Sequence, residues 1–276
     1  MLAALIQTTS SDDPRENLVR ISARIREAAN DGASFILTPE VSNCLSLSRE
    51  HQDAVLQHEA HDLTLAGYQK LAAELSVWLS IGSLALKTDD ADGRYANRSF
   101  VIDPTGAVTT RYDKIHMFDV DVTKDETYRE SDGYRPGTRA AIAPTPFGRL
   151  GLSICYDVRF AYLYRALAQA GAEILLVPAA FSPVTGKAHW ESLLRARAIE
   201  TGCYVLAAAQ TGTHRASVGK QRKTHGHSLA ISPWGEVLAD GGPEEGTVLV
   251  EIDHAEVAQA RRKIAALGHD RNFEGP

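Results

Sequence analysis

One ten-residue pattern occurs twice in this chain, and it limits what the chain can fold into. Residues 99–108 read Ser-Phe-Val-Ile-Asp-Pro-Thr-Gly-Ala-Val, and residues 228–237 read Ser-Leu-Ala-Ile-Ser-Pro-Trp-Gly-Glu-Val. Each is an apolar strand, a turn with proline at its second position and glycine at its fourth, and a returning strand. Around these hairpins the apolar pattern switches between helical and strand periods. Leu18, Ile21, Ile25 and Ala28 recur at helical spacing, Gly32 supplies a stop, and residues 35–37 read as a short buried strand. Further cycles place helices at about 67–77, 161–170 and 188–201, and strands at about 79–86, 150–154, 174–177 and 204–209. Short apolar strands alternating with helices imply an α/β fold with buried sheets. A hairpin at corresponding points implies two related halves, each with its own mixed sheet, packed face to face with helices outside. No Ser/Gly-rich linker separates the halves, so residues 1–276 are read as one domain. The long polar and aromatic segment 115–139 is expected to be a functional loop, and about 268–276 to be a polar, extended tail.

Composition removes several classes of function. Apolar residues at 44% and charged residues at 23% are ordinary for a globular chain, which excludes disorder. A net charge of −6 without Lys/Arg clusters argues against a nucleic-acid partner. The apolar runs fall far short of the roughly 18 residues a membrane span needs. Residues 1–7 are apolar but lack a basic flank, so a first strand is expected rather than a leader. Three cysteines are too few for a disulfide framework, and the expected compartment is the reducing cytoplasm.

The odd cysteine is the entry to the chemistry. Cys155 closes an apolar strand and precedes a helix. A thiol at such a junction is exposed at the carboxyl edge of a sheet, where backbone N–H groups can hold an oxyanion; the alternative is a buried structural thiol. Cys203 reads as structural, and Cys44 receives no role. Glu40, in Thr-Pro-Glu, and Lys114 also fall just past strand ends, the edge at which α/β sheets gather their sites. Taken singly, each is more often a solvated surface residue. No metal site is expected. His58-Glu-Ala-His61 has its histidines three apart where a zinc helix needs four, and no nearby ligand completes His225-Gly-His227. No phosphate-binding glycine motif is present, so no cofactor is expected.

Taken together, these residues resemble the carbon–nitrogen hydrolase (nitrilase) superfamily, whose members carry a Glu–Lys–Cys triad. The likeness rests on Leu-Thr-Pro-Glu40, Arg-Tyr-Asp-Lys114-Ile-His-Met-Phe-Asp and Leu-Ser-Ile-Cys155-Tyr-Asp-Val-Arg-Phe, in that order. A second family glutamate matches Glu130 in Tyr-Arg-Glu-Ser-Asp. The resemblance implies a four-layer α-β-β-α sandwich with two mixed β-sheets, commonly a homodimer or higher homo-oligomer. Within the superfamily the likeness is greatest to the deaminated glutathione amidases. It rests on Ala-Phe181-Ser-Pro-Val-Thr-Gly-Lys-Ala-His-Trp190-Glu, Arg195-Ala-Arg-Ala-Ile-Glu200 and the stretches 204–210 and 226–235. The ω-amidases share several of these stretches. One departure stands out: where the family often continues Arg-Phe-Pro-Glu, this chain has Arg159-Phe160-Ala161-Tyr162.

The implied activity is an amidohydrolase that releases ammonia from a small carboxylate-bearing primary amide through an acyl-thioester, with deaminated glutathione first among substrates. An ω-amidase on α-ketoglutaramate and a nitrilase are the alternatives. The resemblance assigns Cys155 as nucleophile, Glu40 as general base, Lys114 with the Tyr156 backbone N–H as oxyanion donors, and Glu130 as the group that holds Lys114. His116, Phe118 and Phe181 flank the triad segments and are expected in the pocket wall. An Arg or Lys of segment 115–139 is expected to anchor the substrate carboxylates.

Overall fold

The computed structural model describes residues 1–123 and 126–276; Lys124 and Asp125, in the segment expected to be a loop, lie outside the described residues. The first half runs β1 (Leu2–Gln7), α1 (Pro14–Asn30), β2 (Phe35–Leu37), α2 (Arg49–Val55), α3 (Leu63–Leu75), β3 (Trp78–Leu86), β4 (Ala96–Ile102) and β5 (Val108–Asp113). A two-stranded excursion follows, β6 (Asp119–Thr123) and β7 (Glu126–Arg129), then the single turn α4 (Glu130–Gly133). The second half runs β8 (Ala141–Thr145), β9 (Gly148–Leu152), α5 (Ala161–Gln169), β10 (Ile174–Leu176), α6 (Pro183–Thr201) and β11 (Tyr204–Ala207). It continues through β12 (Thr211–Thr213), β13 (Lys223–His225), β14 (Leu229–Ile231) and β15 (Val237–Asp240), and closes with β16 (Gly246–Glu251) and α7 (His254–Lys263).

The two six-stranded sheets have one plan. In the order β16-β1-β2-β3-β4-β5 the inner strands β1, β2 and β3 are parallel, flanked by antiparallel β16 on one side and the β4–β5 hairpin on the other. In the order β8-β9-β10-β11-β14-β15 the parallel trio is β9, β10 and β11, flanked by antiparallel β8 and the β14–β15 hairpin. The repeated sequence pattern forms the two hairpins. Gly106 N–H donates to Asp103 O at 2.9 Å with φ +84°, and Gly235 N–H donates to Ser232 O at 2.9 Å with φ +87°. Only glycine adopts that backbone cheaply, and a Cβ on Gly106 would sit 2.6 Å from Gln69 O of α3.

Strand alternation divides the core. Ala3 and Leu5 of β1 join a cluster with Leu150, Leu152 and Ile174 of the opposite sheet and with Leu163, Leu167 and Leu194 of α5 and α6. Ala4 and Ile6 point the other way, onto Ile21 and Ile25 of α1 and Leu65 and Leu71 of α3. The layers are thus helix, sheet, sheet, helix, as the resemblance implied. Truncating any of these fully buried leucines to alanine costs about 2–5 kcal/mol.

The differences from the sequence reading have local causes. Segment 115–139 holds the antiparallel strands β6 and β7 and a helical turn rather than one loop; the strands are exposed on alternate residues, with Val120, Val122, Glu126 and Tyr128 half-buried between them. α6 starts at Pro183, five residues earlier than its periodicity indicated, since Pro fits the first turn. α5 begins at Ala161 with no side-chain cap, at the point where the family's Pro-Glu is missing. After a turn at Ala266–Gly268, residues 269–276 are exposed and without regular structure. No helix among the described residues is long and apolar enough to cross a membrane.

His214 ties the halves together. Its Nδ1 donates to Ser10 O and its Nε2 accepts from the Thr224 hydroxyl, both at 2.7 Å, in a site 1% exposed. Burial pushes its pKa down to about 4 from 6.5. The unfolded chain therefore binds one proton more than the native state between those pH values. The histidine's contribution is complete above pH 6.5 and is lost as pH falls towards 4, by about 3 kcal/mol. Urea unfolding midpoints should fall over that window, and His214→Gln should show a flatter acid slope; an equal slope in both would contradict this account.

Candidate active site

The site assembles where strands of both sheets end. Glu40 lies three residues past β2, Lys114 directly follows β5, Glu130 opens α4, and Cys155 follows β9. The Glu40 loop rests against β3 at Gly82, where a Cβ would lie 2.0 Å from Thr38 O. Gly82 N–H donates to Thr38 Oγ1 at 3.1 Å, and Ser83 Oγ accepts from Val41 N–H at 2.8 Å. The next residue, Val41, has φ +44°, and Cys155 has φ +49°. A β-branched residue in the left-handed region is an outlier, and such strain costs of order 1–3 kcal/mol. It persists here at the two residues that aim the carboxylate and the thiol.

Buried Asp157 holds the cysteine turn in place. Its carboxylate accepts from Ile154 N–H at 2.9 Å, Tyr112 Oη at 2.7 Å, His116 N–H at 3.0 Å and His116 Nδ1 at 2.7 Å. Tyr112 belongs to β5, so the same carboxylate fixes the Cys155 turn and the strand that delivers Lys114. Cys155 N–H donates to Pro178 O at 2.9 Å.

Lys114, 2% exposed, lies between two carboxylates. Its Nζ donates to Glu40 Oε1 at 2.9 Å and to Glu130 Oε1 and Oε2 at 2.9 and 2.8 Å. Asn97 Nδ2 bridges the same pair, at 2.9 Å from Glu40 and 3.3 Å from Glu130. Ala180 N–H donates to Glu40 Oε2 at 2.8 Å, and Phe118 N–H to Glu130 Oε2 at 2.6 Å. Burial alone would raise the Glu40 carboxyl, yet Lys114 and then Arg222 outweigh it and hold Glu40 below the usual range. Burial likewise opposes the Lys114 charge, but Glu130 and Glu40 raise its pKa well above the ordinary lysine value. Burial and then the Glu40 charge push the Cys155 thiol well up, with Lys114 and the Ala180 N–H opposing. The resting site is therefore an ionised Glu40, a charged Lys114 and a neutral Cys155 thiol beside the Glu40 carboxylate. A standing thiolate beside Glu40 is disfavoured.

These groups line a cavity of about 870 Å³. Phe118, Tyr156 and Phe181 are in its wall, with Phe118 5.1 Å from Tyr156 and Phe181 4.8 Å from Trp190 between ring centroids. His116 is not among the lining residues: its ring stacks on Phe160 at 3.6 Å and is held by Asp157 and Tyr162. Tyr162 is the residue that replaces the family's glutamate. Cys44 lies buried in the cavity wall, and Cys203 packs against Ala172 O and Arg261. Among the described residues no group of three or more His, Cys, Asp or Glu could hold a metal. Glu59 of the His58–His61 run is taken by Arg98 and Arg111, while His225 and His227 stack on each other at 4.7 Å.

Sequence reasoning missed Asn97, Asp157 and Arg222. Asn97 lies just before the repeated pattern as one polar residue among many, and Asp157 reads as a helix-start acid. Arg222 lies in a polar stretch with no periodicity. Of the cations in segment 115–139, Lys124 is outside the described residues, and Arg129 lines the cavity but is paired with Asp121 at 2.8 Å.

Comparison with known proteins places this geometry. The profile of the family Carbon-nitrogen hydrolase matches residues 2–262. A deaminated glutathione amidase of Yersinia enterocolitica is 40% identical over 277 residues, covering 97% of this chain and 92% of the relative. The crystal structure of the Caenorhabditis elegans NitFhit protein matches with a TM-score of 0.90 at 36% identity. That match covers 98% of this chain, which spans 65% of that longer protein. A mutant amidase from Nesterenkonia sp. AN1 matches with a TM-score of 0.77 at 25% identity, covering 96% of each chain; it carries acrylamide added at its active-site cysteine.

The pKa directions make a direct test possible. Burial pushes Cys44 up to about 12, and it raises Cys155 and Cys203 above the ordinary thiol value of 9.0 as well. A raised thiol stays protonated as pH rises through its free value, so thiolate absorbance should stay flat from pH 6 to 9. One equivalent of thiolate with a midpoint inside that range would contradict the resting state described above.

Proposed function

The chain belongs to the carbon–nitrogen hydrolase family, and from that premise we propose that it cleaves a carboxylate-bearing amide through an acyl-thioester on Cys155, with deaminated glutathione as substrate. The cavity carries this reading. At about 870 Å³ it exceeds what a five-carbon amide fills and lies at the upper end of ligand pockets. Cations stand in its wall: Arg49, Arg129, Lys220, Arg222 and Lys223 besides Lys114. Deaminated glutathione joins a 2-oxoglutaryl group to cysteinylglycine. Its amide is therefore secondary, and the amine released is the dipeptide. Ammonia, expected from the sequence as the product, is the leaving group of an ω-amide such as α-ketoglutaramate instead.

The steps follow from the charges. As sulfur attacks the carbonyl carbon, Glu40 takes the thiol proton, and the developing oxyanion meets Lys114 and the Tyr156 N–H. All three Lys114 N–H groups are engaged at rest, so contact with an oxyanion replaces one of its two bonds to Glu130. Glu130 keeps Lys114 charged and orients the substrate. Glu40 passes its proton to the departing nitrogen, the C–N bond breaks, and an acyl-thioester remains. Water then gives a proton to Glu40 while its oxygen attacks the thioester; collapse breaks the C–S bond, and the sulfur recovers that proton. Glu40 and Cys155 come from opposite sheets, which supports one catalytic domain over residues 1–276. The exposed apolar side chains Tyr162, Val184, Ile199, Trp234 and Ile264 support assembly as a homodimer or higher homo-oligomer, readable by concentration-dependent sizing. Three free, buried thiols fit work in the cytoplasm.

Two measurements test the proposal. Across deaminated glutathione, α-ketoglutaramate, aliphatic amides and nitriles, kcat/KM for the first should lead by at least about tenfold, equivalent to about 1.4 kcal/mol. A lead for α-ketoglutaramate would make the chain an ω-amidase, and a lead for nitriles a nitrilase. Lys114→Ala should lose about 10²–10³ in kcat, the usual effect of removing one oxyanion donor. Cys155→Ala should fold and release no amine; turnover at the wild-type rate by that variant would remove Cys155 as nucleophile.

A further inference from the structure

We propose that Arg197, on α6, is a positioning residue for the nucleophile: its guanidinium fixes the far end of the turn that carries Cys155. The inference rests on the reading of Cys155 as the attacking group, and it names what keeps the sulfur in place.

At 6% exposed, Arg197 is the one buried arginine among the described residues. Arg195, two residues earlier on α6, is exposed and serves Gly235 O and Glu191. Taking a guanidinium out of water is costly unless its donors are met, and those of Arg197 run in two directions. Its Nη1 donates to Glu200 Oε1 at 2.7 Å, and the Glu200 side chain is 36% exposed, so the charge is balanced from the solvent side. Its Nε donates inward to Val158 O at 2.8 Å. Val158 belongs to the single 3₁₀ turn Cys155–Arg159, which Cys155 opens with φ +49°. The guanidinium carbon also lies 5.4 Å from the centre of the Tyr164 ring. Tyr164 Oη donates to Ser153 Oγ at 2.6 Å, and that hydroxyl donates to Leu176 O at 2.7 Å. Arg197 therefore grips the turn directly at Val158 and touches, through Tyr164, the stretch that leads into Cys155.

The two ends of the turn are secured differently. At the entry Asp157 accepts from Ile154 N–H at 2.9 Å, and Cys155 N–H donates to Pro178 O at 2.9 Å. At the exit α5 starts at Ala161 with no side-chain cap and without a proline to fix its first residue. A left-handed φ at a residue with a side chain stores strain. A turn loose at its exit relieves that strain by rotating, which carries the sulfur away from Glu40. The Arg197 bond to Val158 O closes that route, and its removal leaves a carbonyl of a fully buried residue without that donor. A misplacement of about 1 Å at a reacting atom costs about 10²-fold in rate, so turnover rather than affinity registers the loss.

The test measures kcat and KM separately for 2-oxoglutaryl-cysteinylglycine and α-ketoglutaramate, two amides with different leaving groups. In Arg197→Met, which keeps bulk but no donor, kcat should fall at least about tenfold with KM within about threefold. The factor should be the same for each amide, because a displaced sulfur slows every acyl transfer alike, whereas a lost substrate contact discriminates between them. Arg197→Lys, which keeps the charge and a donor, should recover part of the loss and provides the reading if the methionine variant folds poorly. Ile25→Ala, in the core beneath α1, controls for lowered stability alone and should keep kcat within about threefold. An unchanged kcat in both Arg197 variants would overturn the role of Arg197 and leave Cys155 standing. An equal loss of kcat in Ile25→Ala at a matched melting temperature would do the same. Turnover by Cys155→Ala at the wild-type rate would instead overturn the reading of the nucleophile.

Discussion

The buried ammonium of Lys114 is the group around which the site is organised. An isolated lysine in such a place would deprotonate or pull the loop open, since burying a charge without partners is costly. Two carboxylates prevent this, one from each side, and each comes from a different part of the chain. Glu40 arrives on the β2 loop and Glu130 on the turn after the β6–β7 excursion. Removing one partner from such a buried pair costs about 3–5 kcal/mol, so the interaction orders the excursion as much as it tunes chemistry. Burial and the Glu40 charge keep the neighbouring thiol protonated. A single cluster thus settles the charge states of Cys155 and Glu40 and the path of the segment that lines the cavity.

That cluster could not be held by loops alone. Asp157 ties the Cys155 turn to Tyr112 and His116, so the approach of the two sheets is locked at the point where Cys155 emerges. Val41 and Cys155 both carry positive φ values, and both are fixed by hydrogen bonds that their N–H groups donate to Ser83 Oγ and Pro178 O. Strain of this kind survives only where the surroundings over-determine it. The fully buried strands on both sides supply that rigidity.

Legibility in the sequence followed physical contrast. The paired Pro-x-Gly hairpins and the alternation of short apolar strands with helices exposed the duplicated frame, because burial leaves a strong pattern. Glu40, Lys114 and Cys155 were visible as chemistry-bearing residues at strand ends, and Glu130 through a family likeness. The β6–β7 strands were not: β6 alternates Asp and Val, but strands of five and four residues with one half-buried face leave only a short, weak period inside a polar segment. Asn97 was equally hidden: its importance lies in facing two glutamates from positions 57 and 33 residues away, a relation that exists only after β4 is placed beside its partners. His116 shows the opposite error. Closeness in sequence to Lys114 suggested a wall residue, but strand geometry turned its ring to Asp157 and Phe160.

The frame and the mouth of the cavity obey different constraints. β2, β5 and β9 present the reacting groups at strand ends whose positions are set by two packed cores, so their geometry tolerates little change. The mouth is built from β6–β7 and from the stretch that ends in Lys220, Arg222 and Lys223, neither of which belongs to a large sheet. The latter is held in place by His214, which bridges Ser10 and Thr224, and by the Arg222 bond to Ala180. Substitutions there can alter which charge the cavity accepts without touching the strand ends. The duplicated sandwich sets the strand ends; these two excursions, which have no counterpart in the sheet plan, set the mouth of the cavity.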